Sequence, residues 1–337
     1  MFIDLYTQVY KATNFVYFYL KLNIERKFFL EDFSMARILN FGSLNIDYVY
    51  TMDHFVQPGE TTHSLNREVF AGGKGLNQSI AAKRAGGDVY HAGCVGLADN
   101  SILLNTLKED KVNIDFVKQI DSPSGHTVIQ VNKDGQNCII LFGGSNQQIT
   151  CEHIDSVLSS FDAGDYLILQ NEINNMEYLI NKGYEKGLNI CFNVSPFEKK
   201  LISLPLEKCK YIIVNEIEGA ALVDKAEDTD PQQLMDLLSA KFKDSYIVLT
   251  LGVHGSLYKD KNSQSIFVNA FKVNAVDTTA AGDTYLGYLI TMLTQNHEPK
   301  EALTIASAAS AIAVTKKGAS PSIPHINEVM DFLKEHQ

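Results

Sequence analysis

The chain has 337 residues, of which 45% are hydrophobic and 20% charged, a composition typical of a globular protein with one large core. Its formal net charge of -11 argues against a nucleic-acid polyanion as the main partner. The five cysteines form no C-x-x-C pair and the nine histidines no H-x-x-x-H spacing. We therefore expect reduced, buried thiols in a cytoplasmic protein without a zinc site.

The first 34 residues form a leader that differs from the rest of the chain. It is crowded with Tyr and Phe, and charged residues such as Lys21 and Glu25 interrupt its apolar run. A membrane span of about 20 apolar residues is therefore not expected, and no secretory signal is clear. We interpret residues 1–34 as an extension from an upstream start, with Met35 as the natural start. An ordered N-terminal appendage is the alternative.

Short β-rich runs alternate with segments of helical period from residue 37 onward. The runs carry apolar residues on both faces, as buried parallel strands do. The predicted strands are 37–41, 89–95, 166–170, 189–194, 211–215 and 246–251, and the predicted helices are 77–86, 99–110, 173–187, 215–224 and 231–242. This alternation predicts an α/β fold, a doubly wound and mostly parallel sheet with helices on both faces.

Residues 46–70 and 126–142 break this alternation and read as strands joined by turns. Asp134-Gly135 is a strong hairpin signal in the second segment. Neither segment has an obvious place in a parallel sheet, so we expect a small β layer at one edge of a domain that covers residues 35–337. A lid that excludes water is the functional interpretation, and an edge hairpin without a role is the alternative.

The segment "GSLNIDYVY" (42–50) follows the first predicted strand. Ligands of open α/β sheets bind at the carboxyl ends of strands. Asn45 and Asp47 alternate along an extended segment, so both side chains point to the same side. An amide beside a carboxylate suits neighbouring sugar hydroxyls, which both donate and accept hydrogen bonds. Simple turn chemistry is the alternative.

The segment "AGGKGLNQSIAAKRAG" (71–86) is a glycine-rich loop followed by a helix. Gly75 stands where a Walker A loop has Ser or Thr, and the G-x-G-x-x-G fingerprint of NAD-binding oxidoreductases is absent. Lys74 and Asn77 favour a polar ligand over a purely structural tight loop.

The segment "YIIVNEIEGAALV" places Asn215 and Glu218 at the end of a strand and the start of a helix. An amide and a carboxylate there could hold Mg²⁺ through water or reach a nucleotide phosphate. A helix cap with an acid in the first turn is the alternative.

The segment "VLTLGVHGSLY" (248–258) forms a loop after another strand, with Thr250, Gly252 and Gly255. Its glycines would let an adenine nucleotide lie against the backbone. His254 is interpreted as an exposed loop residue rather than a catalyst.

The segment "VDTTAAGDTYLGYLI" (276–290) predicts an amphipathic helix that starts near Asp283. A helix start carries a partial positive charge and free N–H groups, and so holds anions. Asp283 makes chemical sense there if it takes a proton from a hydroxyl while the amides of Ala280, Ala281 and Gly282 hold a transferred phosphoryl group.

The segments "AGGKGLNQ", "NEIE" and "VDTTAAGDT", in this order, resemble the signatures of the ribokinase-type (PfkB) carbohydrate kinases over about residues 36–335. The resemblance implies that Asp283 is the catalytic base and that Ala280, Ala281 and Gly282 form an anion hole. The implied sugar site is Asn45, Asp47, Gly73, Lys74, Asn77 and Glu172, together with Asp283. The implied ATP site is Asn215, Thr250, Leu251, Gly252, Val253, His254, Gly255, Gly282 and Ser307.

The same resemblance implies two metal ions. Glu218 would bind Mg²⁺ through water. A K⁺ ion would order the loop beside the anion hole, and its implied ligands are Asp277, Thr279, Ala313, Lys316, Gly318 and Ser322. Val194 and Ser307 depart from the family's pattern, and these departures concern contacts with the nucleotide rather than the reaction class. The resemblance implies a homodimer through the lid as well, and neither the net charge nor the apolar segments lead us to expect a nucleic-acid or membrane partner.

The activity implied is ATP-dependent phosphorylation of D-ribose at O5, which gives ribose 5-phosphate. A kinase for another sugar or a nucleoside, such as deoxyribose or adenosine, is an alternative on the same fold. A nucleotide or sugar sensor without catalysis is an alternative of another class, although the intact Asp283 and glycine loops argue against it.

Overall fold

The computed structural model describes residues 36–260 and 265–336. Strands and helices alternate in these ranges, so the expected α/β class is confirmed. The strands are β1 (Ile38–Phe41), β2 (Asn45–Thr51), β3 (Asn66–Gly72), β4 (Val89–Gly96), β5 (Asn113–Ile120), β6 (Gly125–Val131), β7 (Asn137–Phe142), β8 (Tyr166–Gln170), β9 (Asn189–Asn193), β10 (Tyr211–Asn215), β11 (Tyr246–Thr250), β12 (Ser256–Lys259) and β13 (Ile266–Val268). The predicted leader, residues 1–34, lies outside the described residues.

The main sheet has the strand order β13-β12-β11-β10-β9-β8-β1-β4-β5. Every neighbouring pair from β11 to β5 is parallel, whereas β12 pairs antiparallel with β11, and β13 pairs antiparallel with β12, at one edge. The carboxyl ends of β1, β8, β10 and β11 therefore meet at one side of the sheet, where loops bind ligands in this architecture.

The helices are α1 (Lys74–Arg84), α2 (Ser101–Glu109), α3 (Cys151–Leu158), α4 (Met176–Glu185), α5 (Glu216–Leu222), α6 (Pro231–Lys241), α7 (Ala281–Thr294), α8 (Pro299–Ala313) and α9 (Ile326–Glu335). Local sequence sets several of their starts. Asp230 caps α6 by accepting from the Gln233 amide, and Pro231 occupies the first helical position. α1 begins three residues earlier than predicted, at Lys74, so the polar residues of its motif lie in the first turn.

The hydrophobic core divides into two layers, one on each face of the main sheet. Neighbouring residues of a strand point to opposite faces, so Ile38 packs into one layer and Leu39 into the other. The first layer includes Leu286 of α7, and the second includes Leu179 of α4. Helices on both faces explain why the strands read as continuous apolar runs.

The two segments that break the alternation form a separate small sheet with the order β3-β2-β6-β7. Each segment contributes one antiparallel pair, and β2 and β6 join the two pairs in parallel. Gly135 turns the second hairpin with a φ of 77°. The expected small β layer is confirmed, and its role as a lid remains a prediction.

The described residues include no helix that combines the length and apolarity needed to cross a membrane. All five cysteines are free thiols, but only Cys94, Cys191 and Cys209 are buried; the expectation of burial is wrong for Cys138, which is exposed on β7. Burial raises the pKa of the Cys94 thiol to about 11.

Candidate active site

Asp283 lies in the first turn of α7 and is buried, with 6% of its surface exposed. The helix starts at Ala281, two residues before the predicted position, and the residue before it, Ala280, adopts a left-handed conformation with a φ of 60°. Of the three predicted anion-hole amides, that of Ala281 already donates to the Thr278 carbonyl at 3.3 Å, a long hydrogen bond that an anion would have to replace or share. A side chain added at Gly282, in the first turn, would meet no atom within 4 Å, so the space beside this residue is open. An anion can therefore approach this end of α7.

The Asp283 carboxylate accepts two hydrogen bonds from α1. Asn77 Nδ2 donates to Oδ2 at 3.0 Å, and Gln78 Nε2 donates to Oδ1 at 2.9 Å. Asn77 Oδ1 is buried and has no partner among the described residues. That acceptor suits a hydroxyl donor from a ligand, because buried polar atoms are rarely left unpaired.

Asn45 and Asp47 lie on β2 with one residue between them, as predicted. The turn that follows β7 donates a hydrogen bond to Asn45, and β6 donates one to Asp47. Asn146 Nδ2 donates to Asn45 Oδ1 at 2.7 Å, and Thr127 Oγ1 donates to Asp47 Oδ1 at 2.6 Å. Burial raises the pKa of Asp47 to about 6; the Thr127 hydrogen bond opposes this rise, and the nearby Glu172 carboxylate adds to it.

Lys74 and Glu172 meet beside this pair. The Lys74 amide donates to a Glu172 carboxylate oxygen at 3.1 Å, and the Ser43 hydroxyl donates to the same oxygen. The pKa of Glu172 is raised above its ordinary value because burial disfavours the carboxylate, and the opposing effects of Lys74 and Ser43 are smaller.

The Lys74 ammonium group lies in the field of three carboxylates. Burial disfavours its charged form, but Asp283, Glu172 and Glu218 together outweigh this and raise the pKa of Lys74. The predicted sugar-binding and catalytic side chains are thus electrostatically coupled.

Asn215 and Glu218 form a reciprocal capping box at the start of α5. Asn215 Oδ1 accepts from the Glu218 amide at 2.8 Å, and Glu218 Oε2 accepts from the Asn215 amide at 3.0 Å. The structural alternative considered for this motif is therefore present. It does not exclude a ligand role, because the Asn215 Nδ2 group and the second Glu218 oxygen are outside the box.

The loop after β11 contains the predicted nucleotide residues. The Leu251 amide donates to the Gly255 carbonyl at 2.8 Å and closes a turn over Gly252–His254. Val253 is 87% exposed, and His254 is exposed as predicted. Gly255 has a φ of 112°, and a side chain there would overlap the Val268 carbonyl.

Ser307 stands apart from this turn in the sequence but belongs to the predicted nucleotide site. Its hydroxyl donates to the Asn269 carbonyl at 3.3 Å, next to the end of β13, and it is 7% exposed. Thr250 Oγ1 donates to the Val214 carbonyl at 3.3 Å, which ties the start of the loop to β10.

Three of the predicted K⁺ ligands are in direct contact. Asp277 Oδ1 accepts from the Thr279 amide and hydroxyl at 2.9 and 2.6 Å, and Oδ2 accepts from the Gly318 amide at 2.9 Å. Burial opposes the ionised form of Asp277, but these hydrogen bonds outweigh it and lower its pKa.

The other three predicted K⁺ ligands lie at the last residue of α8 and in the segment that follows it. The Lys316 amide donates to the Ala313 carbonyl at 3.1 Å, and the Ser322 hydroxyl donates to the Ala319 carbonyl at 2.8 Å. The Lys316 ammonium pairs with Glu328 on α9 at 2.9 Å, so only its backbone carbonyl suits a cation.

Sequence reasoning missed four residues that hold the site together, which are Ser43, Gln78, Thr127 and Asn146. Gln78 follows Asn77 directly in the glycine-rich motif, and that adjacency was the available signal. Thr127 and Asn146 reach β2 only through tertiary pairing, which no local pattern reveals.

A family model described as pfkB family carbohydrate kinase matches residues 35–326. The chain is 33% identical to a ribokinase of Schizosaccharomyces pombe over 317 residues, covering 88% of this chain and 97% of that protein. It is 33% identical to a ribokinase of Staphylococcus aureus over 303 residues, covering 87% of this chain and 98% of that protein. The crystal structure of a ribokinase from Cryptococcus neoformans in complex with ADP matches with a TM-score of 0.78 at 30% identity, covering 88% of this chain and 99% of that one.

Proposed function

The chain belongs to the pfkB family of carbohydrate kinases, and we propose that it transfers a phosphoryl group from ATP to O5 of D-ribose, giving ribose 5-phosphate. The observation that carries this proposal is the buried Asp283 carboxylate at the open start of α7, within the field of Lys74. A carboxylate and a set of helix amides at one place suit proton abstraction and phosphoryl stabilisation together.

In the proposed reaction, Asp283 accepts the proton of the attacking primary hydroxyl. The amides of Ala280, Ala281 and Gly282, aided by the positive end of α7, stabilise charge on the transferred group. Asn77 and Gln78 keep both carboxylate oxygens hydrogen-bonded, so the base is held in one orientation before the acceptor arrives.

The proposed sugar site combines acceptors and donors for several hydroxyls. Asp47 and Glu172 supply carboxylate oxygens, while Asn45 and Asn77 supply amides. The unpartnered, buried Asn77 Oδ1 supports this assignment. Gly73 and Lys74 complete the proposed set: Gly73 lies against the backbone of Asn45, and Lys74 contributes positive charge.

For the nucleotide, we propose contacts from the turn after β11 and from neighbouring segments. The members are Asn215, Thr250, Leu251, Gly252, Val253, His254, Gly255, Gly282 and Ser307. Open space around Gly252 and Gly282 supports a bound group at both positions. The structure of the Cryptococcus ribokinase with ADP supports nucleotide binding by this architecture.

Two ions are part of the proposal. No group of three or more His, Cys, Asp or Glu side chains forms a metal cluster in residues 36–260 and 265–336. A hydrated Mg²⁺ needs only one or two carboxylates besides phosphate, and Glu218 fits that demand. Bound there, Mg²⁺ would neutralise charge on the phosphates.

The segment around Asp277 fits K⁺, because its donors are oxygens of the kind that hard cations prefer. The proposed ligands are Asp277, Thr279, Ala313, Lys316, Gly318 and Ser322, several through backbone carbonyls. Asp277 already joins the residue before the anion hole to Gly318, so an ion there would order the loop without touching the sugar.

We further propose that residues 35–337 form one kinase domain in which the small sheet acts as a lid. β7 presents exposed Ile139, Ile140, Leu141 and Phe142 at the free edge of that sheet. Exposed apolar edge strands pair readily with another chain, which supports a homodimer through the lid.

The proposed activity is tested by an ATP-consumption screen over ribose, deoxyribose, fructose and nucleosides, with and without K⁺. We expect the highest kcat/KM for ribose, a product phosphorylated at O5 by ³¹P NMR, and activation by K⁺. Turnover only on a nucleoside, or no turnover on any acceptor, would overturn the proposed function.

A further inference from the structure

We propose that Gln78 is a positioning residue for Asp283 and that Gln170 sets the direction of the Gln78 amide. This inference rests on the proposed function of Asp283 as the base. It concerns a chain of buried side chains behind that carboxylate, on the side away from the open helix start.

The chain of hydrogen bonds begins at the base. Gln78 Nε2 donates to Asp283 Oδ1 at 2.9 Å, and Gln78 Oε1 accepts from Gln170 Nε2 at 2.8 Å. All three side chains are buried, with 6% of Asp283 and none of the two glutamines exposed. Gln170 is the last residue of β8, so the main sheet itself reaches the base through one intervening amide.

The direction of the Gln78 amide follows from Gln170. An amide side chain has one accepting oxygen and one donating NH₂ group. Because Gln170 donates to the Gln78 oxygen, the Gln78 NH₂ group is directed at Asp283. The reverse orientation would bring the Gln78 oxygen against a carboxylate oxygen, where two acceptors repel each other.

Gln170 is itself held in direction by β1. Its Nε2 also donates to Asn40 Oδ1 at 2.8 Å, and Asn40 Nδ2 donates to the Gly75 carbonyl at 2.8 Å and to Ser79 Oγ at 2.9 Å. Each amide in this series therefore has its orientation fixed by a neighbour.

The series ends at His91 on β4, whose Nδ1 lies 2.8 Å from Ser79 Oγ. Burial lowers the pKa of His91 to about 4, so this end is neutral at physiological pH. Asn40, Gln78, Ser79 and Gln170 do not titrate in this range. The only titratable member of the series, His91, is a weak base, because burial disfavours its charged form, so we interpret the series as a support rather than a proton relay.

Packing of α1 against α7 brings Gln78 to this position. Gly287 lies one turn after Asp283, and a side chain there would meet Ala81 and the Gln78 carbonyl. The close approach of the two helices places Asn77 and Gln78 on either oxygen of the carboxylate. On the ligand side, the charged groups around Asp283 are Lys74 and Glu172.

The test compares four variants with the wild-type enzyme in steady-state kinetics over a range of pH. Gln78→Met and Gln170→Met keep side-chain length but remove the hydrogen bonds. Gln78→Glu keeps shape but puts a carboxyl group beside the base, and Gln170→Glu replaces the donor with an acceptor. Asn189→Ala is the control, because Asn189 bonds Gly164 and Lys210 at the start of β9, at the opposite end of the strands.

Each Met variant should lower kcat about 10- to 100-fold with KM for sugar and ATP nearly unchanged, because misplacing a catalytic group costs rate rather than ground-state binding. Gln170→Glu should lower kcat as well. In Gln78→Glu the acidic limb of the kcat–pH profile should move up by about one pH unit or more, because a like charge beside a carboxylate favours its protonated form. A residue with a purely structural role would change thermal stability but not this limb.

Folded Gln78→Met and Gln170→Met enzymes with kcat within about twofold of wild type, or an unshifted pH profile in Gln78→Glu, would overturn the inference. If Gln78→Met does not fold, the kcat of Gln170→Met and the pH profile of Gln78→Glu test the inference instead. Failure of all four variants to fold would also contradict the inference, since the network would then serve stability. An inactive wild-type enzyme would instead mean that the proposed function has failed.

Discussion

The Thr127 hydroxyl donates a 2.6 Å hydrogen bond to Asp47 Oδ1 across the parallel pair that joins the two halves of the small sheet. Thr127 lies directly opposite Asp47 in the register of β2 and β6. The small sheet therefore not only lies beside the proposed sugar site but also fixes one of its carboxylates. A change in the packing of the sheet would reach the ligand through this bond.

A pH dependence of ribose binding follows from the pKa of Asp47, which burial raises to about 6. The ionised form accepts hydrogen bonds from hydroxyls, so KM for ribose should rise as the pH falls through this value. At one pH unit below it, only about a tenth of the carboxyl groups are ionised. Steady-state kinetics from pH 5 to 8 measure this dependence. In Asp47→Asn, KM for ribose should be high and should not change with pH.

Removal of the Thr127 hydroxyl should change the pH at which KM for ribose rises. The hydrogen bond from Thr127 lowers the pKa of Asp47, so Thr127→Val should shift the rise in KM to higher pH. Thr106→Val is the matched control, because the Thr106 hydroxyl bonds only its own helix, at the Ile102 carbonyl. A KM–pH curve of Thr127→Val that coincides with that of the control would rule out the coupling.

Gly255 should be irreplaceable in the proposed nucleotide turn. It has a φ of 112°, and a side chain would overlap the Val268 carbonyl. Gly255→Ala should lower the free energy of unfolding by about 1–3 kcal/mol from backbone strain, with overlap adding to it, and should weaken ADP binding. Urea unfolding and calorimetric titration measure the two effects.

Gly164→Ala is the control for that substitution. Gly164 has a φ of 97°, but a side chain there meets nothing within 4 Å. Gly164→Ala should lower the free energy of unfolding by about 1–2 kcal/mol, because alanine must adopt the left-handed conformation there. ADP binding should be unchanged. Equal losses of stability and of ADP affinity in the two variants would contradict the assigned role of Gly255.

Asp277 should control activation by K⁺. Asp277→Asn keeps oxygen as an acceptor but removes the charge that joins Thr279 to Gly318. We expect a higher K⁺ concentration for half-maximal activity and a maximal activation reduced by about 5-fold or more, the lower range of coupling between two sites. A K⁺ titration of turnover that superimposes on the wild-type curve would refute this assignment.

Most strands of the main sheet could be predicted from the sequence, because buried parallel strands appear in it as continuous apolar runs. The six predicted strands end within one residue of the observed ones. Three strands of the main sheet were missed: β12 and β13 are short, and β5 is only partly buried, so it leaves no continuous apolar run. Pairing of β2 with β6 was not predictable, since the turn signals specify only the contacts within each hairpin.

The candidate site was predictable where one short motif supplies several of its residues. Asp283, Asn77 and Lys74 come together as expected from their motifs. Gln78 and Gln170 were not singled out, because a polar residue in a helix or at a strand end is usually solvated. Only the burial created by α1, α7 and β8 turns them into a network.

The central claim is that Asp283 is the base in phosphoryl transfer from ATP to ribose, and Asp283→Asn tests it most directly. The control is Asp99→Asn, since Asp99 also accepts from two groups, the Ser124 amide and hydroxyl, but lies outside the site. Turnover of ribose should fall about 10²- to 10⁴-fold in Asp283→Asn, while calorimetric affinities for ribose and ADP stay near wild type. Turnover close to that of the Asp99→Asn control would contradict the claim.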